Sequence, residues 1–379
     1  MLKKMMLILC MTSALTGCWD KVELENRGFV AAIGIDSFKE IEDAVIFQDA
    51  TQDRAKRYLV SMALPTMDAD AEGEDPENKS VKLAGCMTVA SAMRLIDAAA
   101  SQELYFGHTK LCVLGEPLLK DSTLFNEAID ALERNPEIGR KITVMANKGN
   151  AADILKGDIA GEPLIGMFVS KFYENNESVA GITFRQDLQT IIREIHLNGC
   201  TLIPRVDLNE KHVKLAGAAL VQDYKMAAWL DEREIRGYLW AKGKCEDAQV
   251  TANIGKHYVP MRIERNTSQI NLLNEYGQLI CEITLKVQGS IEEFTESLNA
   301  EAKINELSQA YEEIIRREIE HTFSVFQKHN ADVFGLRGEL RKKNGPLFQQ
   351  VYENWEKTYP QIKLRPLVNV NIRSTGALR

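Results

Sequence analysis

Between Ile304 and Phe326 the residues Ile304, Leu307, Tyr311, Ile315, Ile319, Phe323 and Phe326 recur every three or four positions. That spacing gathers them into one stripe of an α-helix. It predicts a single long helix over about 294–330. A helix of roughly 30 residues reaches about 45 Å. An apolar stripe of that length needs a matching apolar surface. We expect the sheet of the same domain to supply it; a coiled-coil partner helix is the alternative. Asp332-Val333-Phe334-Gly335 ends the helix, with Gly335 as the turn residue and Phe334 as a buried plug beside it.

Short strand-like segments precede this helix. Gln249–Ile254, Tyr258–Glu264, Gln269–Asn274 and Leu279–Gly289 carry the pattern, and Asn274-Glu275-Tyr276-Gly277 reads as a hairpin turn. Upstream, Val213–Gln222 and Lys225–Trp229 form a hairpin about Gln222-Asp223-Tyr224, followed by a charged helix over Asp231–Trp240. A helix over Leu347–Trp355 and a strand over Leu367–Ile372 close the chain.

The first half alternates strands with helices. Gly28–Asp36 reads as a buried strand and Tyr58–Leu64 as another. Asp68–Asn78 is acidic and loop-like. Thr88 can cap a helix whose apolar face is Ala90, Met93, Leu95, Ile96 and Ala100. A turn at Gly107 leads into a strand that stops at Gly115. A helix over Leu118–Leu132, a strand over Lys141–Ala146 and helices at 151–155, 163–173 and 187–197 follow. The fold expected is multi-domain α+β, with mixed sheets and packed helices, and with a mostly antiparallel C-terminal sheet carrying the long helix. The chain divides into an α/β region over 18–200, itself divisible into two subdomains, and an α+β domain over 201–379.

Residues 1–17 stand apart. Lys3 and Lys4 precede an apolar run from Met5 to Leu15, the layout of a secretory signal. As a helix that run spans only about 16 Å, against a hydrocarbon core of about 30 Å. Leu15-Thr16-Gly17-Cys18 then has the form of a bacterial lipobox, in which the Cys18 thiol takes a diacylglyceryl group and becomes the new N-terminus. An ordinary cleaved signal with an incidental cysteine is the alternative. One acyl chain binds membranes at only about 10⁴ M⁻¹, whereas two anchor stably.

The whole chain has 46 basic and 54 acidic residues, a net charge of −8. Loss of Lys3 and Lys4 makes it −10, with 44 basic residues against 54 acidic. An acidic protein without a basic cluster is a poor partner for nucleic acid or anionic lipid surfaces. Beyond Cys10 and Cys18, the cysteines Cys86, Cys112, Cys200, Cys245 and Cys281 are odd in number and far apart. They form neither a disulfide framework nor a metal pattern. Cys112, in an apolar run, reads as a small buried hydrophobe.

Chemistry is scarce. Gly-x-Ser-x-Gly, His-Glu-x-x-His, Cys-x-x-Cys, a phosphate loop and Gly-x-Gly-x-x-Gly are all missing. Six histidines (His108, His196, His212, His257, His321, His329) are scattered. His108, between Gly107 and Thr109, is the one candidate at a strand entry, and a hydrogen-bonded turn histidine is its simpler reading. We therefore expect no catalytic residue, no metal and no cofactor.

Gly17-Cys18-Trp19-Asp20-Lys21-Val22-Glu23-Leu24 followed by Gly34-Ile35-Asp36 resembles the amino-terminal signature of the Ger(x)C family, the C-subunit lipoproteins of spore germinant receptors. Phe106-Gly107-His108-Thr109-Lys110, Gly115-Glu116, Arg134-Asn135-Pro136-Glu137 and Asp332-Val333-Phe334-Gly335 are similar to further family stretches, in order. Cys112 stands where the family carries an aliphatic residue. The resemblance implies a non-catalytic subunit required for nutrient-triggered germination, lipid-anchored through Cys18 on the outer face of the spore inner membrane. It also implies integral-membrane A and B subunits as partners. Two other classes remain: a lipid-anchored solute-binding protein of an importer, which wants two similar lobes around a cleft, and an anchored enzyme, which wants a motif. A ligand in hundredfold excess over its dissociation constant would stabilise a binding protein by about 2.7 kcal/mol.

Overall fold

The computed structural model describes residues 26–39, 46–48, 56–65, 79–159, 161–174, 178–293 and 301–374. Cys18 and the loop expected over Asp68–Asn78 lie outside these residues.

The first strands are β1 (Arg27–Phe29), β2 (Ala32–Ser37), β3 (Ile46–Gln48), β4 (Tyr58–Pro65) and β5 (Lys79–Cys86). Next come helix α1 (Val89–Ala98), strands β6 (Glu103–Tyr105) and β7 (Leu111–Gly115), and helices α2 (Glu116–Lys120) and α3 (Ser122–Arg134). Strand β8 (Thr143–Asn147) leads to α4 (Ala151–Lys156), α5 (Ile165–Phe172), β9 (Ser178–Val179), β10 (Thr183–Phe184) and α6 (Leu188–Asn198). Strands β11 (Cys200–Asn209), β12 (His212–Gln222) and β13 (Lys225–Leu230) complete a nine-stranded mixed sheet of order β13-β12-β11-β8-β7-β2-β4-β5-β3.

Side-chain alternation along its central strands feeds two layers. Ile33, Ile35, Cys112, Leu114 and Val144 pack with α1, α3 and α6 on one face. Ala32, Leu111, Val113 and Met145 pack with α4 and α5 on the other. Cys112 is fully buried there, as its apolar setting implied.

The strand expected over Gly28–Asp36 is two strands. Val30 N–H donates to Tyr105 O (3.1 Å) and Ala31 N–H to Ala63 O (2.9 Å), so the chain leaves one sheet and enters another between them. The helix expected over Leu118–Leu132 is also two. Asp121 breaks it by turning its side chain onto Thr123 N and Leu124 N, both at 3.0 Å, as the N-cap of α3.

The turn at Asp223 and Tyr224 holds both residues at positive φ (47° and 59°), the backbone a tight hairpin needs. Helix α7 (Glu232–Lys242) begins with a capping box between Asp231 and Glu234. The nine-stranded sheet thus runs on past residue 200, where the change in sequence character places the domain division.

The C-terminal sheet contains β14 (Gln249–Ile254), β15 (His257–Glu275), β16 (Gln278–Ile291) and, after the long helix, β17 (Lys363–Ser374). Three strands are antiparallel and β17 joins β16 in parallel. The segments expected over Tyr258–Glu264 and Gln269–Asn274 are one strand, continuous through a bulge between Ile263 and Arg265.

Helix α8 (Glu301–Lys328) lies along this sheet. Leu307, Tyr311, Ile315, Ile319, Phe323 and Phe326 are all buried in the domain's core, which answers the stripe's demand from within the chain. Tyr311 Oη donates to Val259 O at 2.8 Å, and Glu312 accepts from Val370 N at 2.9 Å. Gly335 adopts φ +74°, the left-handed turn expected of it. The helix expected over Leu347–Trp355 is divided. Helices α9 (Leu336–Lys343), α10 (Gly345–Tyr352) and α11 (Trp355–Thr358) fill this part of the chain.

Candidate functional site

A groove of about 1090 Å³ opens between α1, α3 and the turn after α3. Thr88 positions one wall, its hydroxyl accepting from Ser91 N at 3.1 Å. Asp121 positions the other, and Arg134 binds Asp130 through both carboxylate oxygens at 2.8 and 2.9 Å in the last turn of α3. The next residues turn away as Asn135 Oδ1 accepts from Glu137 N (2.9 Å). Arg134-Asn135-Pro136-Glu137 therefore forms a rim of the groove. The floor is apolar, with Val89, Met93, Leu104 and Phe106.

The groove's polar centre is Glu127. Tyr58 Oη donates to it at 2.6 Å, and Arg57 pairs with it at 2.9 Å. The Tyr58 hydroxyl and Arg57 hold the Glu127 carboxyl below its usual range. Burial, then the Glu127 carboxylate, pushes the Tyr58 hydroxyl up. Near neutral pH the carboxylate stays ionised and the phenol stays protonated. Arg94 lines the same groove and makes no ion pair among the described residues.

Phe106-Gly107-His108-Thr109-Lys110 sits at one end of this groove. Phe106 is buried in its floor. Thr109 Oγ1 donates to Val30 O at 3.0 Å, and Lys110 N–H donates to Ala31 O at 3.0 Å, which fixes the point where the chain changes sheets. Gly107 lies in the turn expected of it, with a φ that is not left-handed. A Cβ there would meet the outer end of the Tyr105 ring, which would have to shift to admit it. His108 is exposed and packs edge-on against Phe29 at 5.4 Å and near Tyr105 at 5.5 Å. It belongs to an aromatic patch with Phe29 and Tyr105.

Two buried carboxylates staple the fold. Asp36 accepts from Ala151 N (2.7 Å) and Ala152 N (3.0 Å), tying β2 to the start of α4 across more than a hundred residues. Burial raises its pKa to about 7, against the pull of those two donors. Asp332 accepts from Leu336 N and Arg337 N, both at 2.8 Å, and burial raises its pKa to about 6. Phe334 follows in the same turn. It stacks on Tyr238 (6.2 Å) and Phe323 (6.0 Å) and meets Phe326 edge-on (5.4 Å). It is the buried plug its position predicted, at 5% exposure.

Glu318 is a further buried carboxylate, one that the apolar periodicity conceals. Arg236 grips it with two guanidinium nitrogens, and Trp240 Nε1 donates to it at 2.9 Å. Its place three residues after Ile315 and four before Thr322 puts it at the edge of the stripe, the one signal of burial available. Among the described residues no group of three or more His, Cys, Asp and Glu is placed to hold a metal. Cys86, Cys112, Cys200, Cys245 and Cys281 are all buried. Among the described residues no helix is long and apolar enough to cross a membrane.

Two family models match this chain in tandem. "Spore germination protein N-terminal domain" matches residues 20–208, and "Spore germination B3/ GerAC like, C-terminal" matches residues 216–376. Spore germination protein KC of Bacillus subtilis (strain 168) is 23% identical over 395 residues, covering 98% of this chain and 95% of that protein. Spore germination protein B3 of the same organism is 22% identical over 383 residues, covering 97% and 96%. The crystal structure of the GerBC protein aligns with a TM-score of 0.60 at 17% identity, over 83% of this chain and 93% of that one, and so shares the fold.

Proposed function

The chain belongs to the GerAC-like family of spore germination proteins, and we propose that it is the lipid-anchored C subunit of a nutrient germinant receptor. The observation that carries this is the ordered match of both family models over nearly the whole chain, 20–208 and then 216–376. In this reading residues 1–17 are a lipoprotein signal peptide and Cys18 carries the lipid. The mature body, divided near residue 200, sits on the outer face of the spore inner membrane. It assembles there with integral-membrane A and B subunits and has no catalytic role of its own.

The physical setting supports the proposal. A globular body of this kind reaches the cell interior only through partners that span the membrane. Tethering on one surface helps such partners meet, since short flexible linkers give roughly millimolar local concentrations. The groove between α1 and α3 offers charges of both signs over an apolar floor, a surface suited to binding. An importer's solute-binding protein would want two similar lobes, and a nine-stranded mixed sheet beside a four-stranded one does not supply them.

The test is a strain deleted for this gene and scored for nutrient-triggered germination, with a receptor-independent germination route as control. The expected result is loss of the nutrient response alone. Normal nutrient germination, with no redundant receptor present, would overturn the proposal.

A further inference from the structure

The acidic total conceals one basic run. Arg341, Lys342 and Lys343 are consecutive, all exposed, and close helix α9. From residue 336 to 352 the cations Arg337, Arg341, Lys342 and Lys343 face a single carboxylate, Glu339, in a chain whose net charge is −8. Glu339 pairs with Lys342 at 3.2 Å and Lys343 at 3.7 Å, which leaves Arg341 and most of the run's charge unbalanced.

Helix α10 follows at once, with Pro346, Leu347, Phe348, Val351 and Tyr352 among its eight residues, yet none of them is fully buried. Phe348 and Tyr352 stand one turn apart with rings 5.0 Å from centre to centre, and Tyr352 is 53% exposed. Arg341, Phe348 and Tyr352 share one shallow surface recess. Leu347, Phe348 and Val351 turn toward the C-terminal core, so the exposed apolar groups beside the three cations are Pro346 and Tyr352. An exposed tyrosine flanked by cations suits a lipid interface.

The placement agrees. Strands β2, β7, β8 and β11 run parallel, so the described chain enters at residue 26 on the end of the sheet where those strands begin. The start of α9 is held at that same end, where Arg337 Nη2 donates to Leu197 O at 2.6 Å. The entry of the described chain and the start of α9 therefore lie at the same end of the nine-stranded sheet, and from there α9 carries its cations to β15, where Lys343 Nζ donates to Asn271 Oδ1 at 2.7 Å.

We propose that Arg341–Lys343 and the outer face of α10 form a docking surface for an anionic bilayer, which orients the body on the membrane. The inference rests on the receptor-subunit reading only for the nearness of a bilayer. A cation close to an anionic surface contributes about fivefold to binding. Glu339 offsets one of the three, so the whole run is expected to give roughly 25-fold, or about 2 kcal/mol.

The test uses the chain from residue 18 onward carrying Cys18→Ala, so that neither the lipid nor the signal segment is attached. It is sedimented with vesicles of phosphatidylcholine alone and with vesicles of phosphatidylcholine and phosphatidylglycerol in equal parts. Arg341→Glu with Lys342→Glu and Lys343→Glu should lower partition onto the anionic vesicles by at least about 25-fold, leave neutral vesicles unaffected, and lose its effect at high salt. Tyr352→Ser, at an exposed position that folding does not need, should weaken binding to both. Equal partition of the triple variant and its parent overturns the proposal. So does equal partition combined with loss of co-purifying membrane proteins, which would make this a protein-binding surface. Germination is not read in this test, so the receptor-subunit reading stands or falls separately on the deletion strain.

Discussion

Phe334→Ala removes the plug between α7 and α8. The ring lies nearly parallel to Tyr238 (16°) and Phe323 (11°) and edge-on to Phe326, with Lys242 Nζ 5.7 Å from its centre. Truncating a buried Phe to Ala costs about 3–5 kcal/mol, from lost transfer energy and the cavity left behind. Collapse into that cavity is hindered here, because the three neighbouring rings are held by two helices that Glu318 clamps together through Arg236 and Trp240. The upper part of the range is therefore expected. With a denaturant dependence of about 3 kcal/mol per M in urea, the midpoint should fall by roughly 1.3–1.7 M. Phe348→Ala, on the half-buried face of α10, is the matched control and should shift it by under about 0.5 M. Urea unfolding followed by tryptophan fluorescence measures both. If Phe334→Ala moves the midpoint no further than Phe348→Ala, Phe334 is not held in the core, and a partner contact becomes its better explanation.

Gly237→Ala places a Cβ against the Thr322 hydroxyl and the Glu318 carbonyl, where α7 and α8 touch; thermal unfolding should register a loss of about 1–3 kcal/mol. Asp36 has a folded pKa of about 7 against a usual 3.8, so the folded chain keeps a proton that the unfolded chain has lost between those values. Stability should therefore fall as pH rises from about 4 to about 7 and level off above, and Asp36→Asn should flatten that slope in a pH series of urea midpoints. Asp332, raised to about 6, adds to the decline with the same sign and ends lower on the scale, so the flattening in Asp36→Asn should be partial. Cys18→Ala should abolish acyl labelling and release the protein from spore membranes, and full retention in the membrane fraction would refute the anchor.

Elements whose cause is local were legible in the sequence. The stripe from Leu307 to Phe326 and the left-handed Gly335 follow from spacing and from one residue's stereochemistry. Elements decided by distant partners were not. The break after Val30 depends on carbonyls of Tyr105 and Ala63, which no local pattern reveals. The polar stretch Arg265-Asn266-Thr267-Ser268 has a loop's composition, yet it pairs with β16 throughout, and Asn266 is buried with its Oδ1 accepting from Cys245 N at 3.1 Å. In the groove, the 134–137 rim was visible as a family-like stretch. The Tyr58–Glu127 hydrogen bond at its centre joins residues 69 apart and needed the fold to bring them together.

The seam between the two halves bears on how such a body can act. The family models meet between residues 208 and 216, at the turn between β11 and β12, which are paired strands of one sheet. Alternate residues of those strands serve different cores. Leu202, Ala218 and Leu220 face the C-terminal one, and Ile203, Ala219 and Val221 face the N-terminal one. Gln222 Nε2 donates to Asn330 O at 3.2 Å, and Arg337 reaches Leu197, so the turn after the long helix is fastened to the first half as well. Hinge closure moves lobes about a few loop residues that absorb the change in φ and ψ. Here the corresponding residues are hydrogen-bonded strand with side chains committed to both cores, and bending them would open both at once. A cleft-closing response of the solute-binding kind is therefore disfavoured by the architecture itself. A body built this way keeps its surfaces in fixed register with one another, so a change at one of them reaches the others through the shared strands rather than through a hinge.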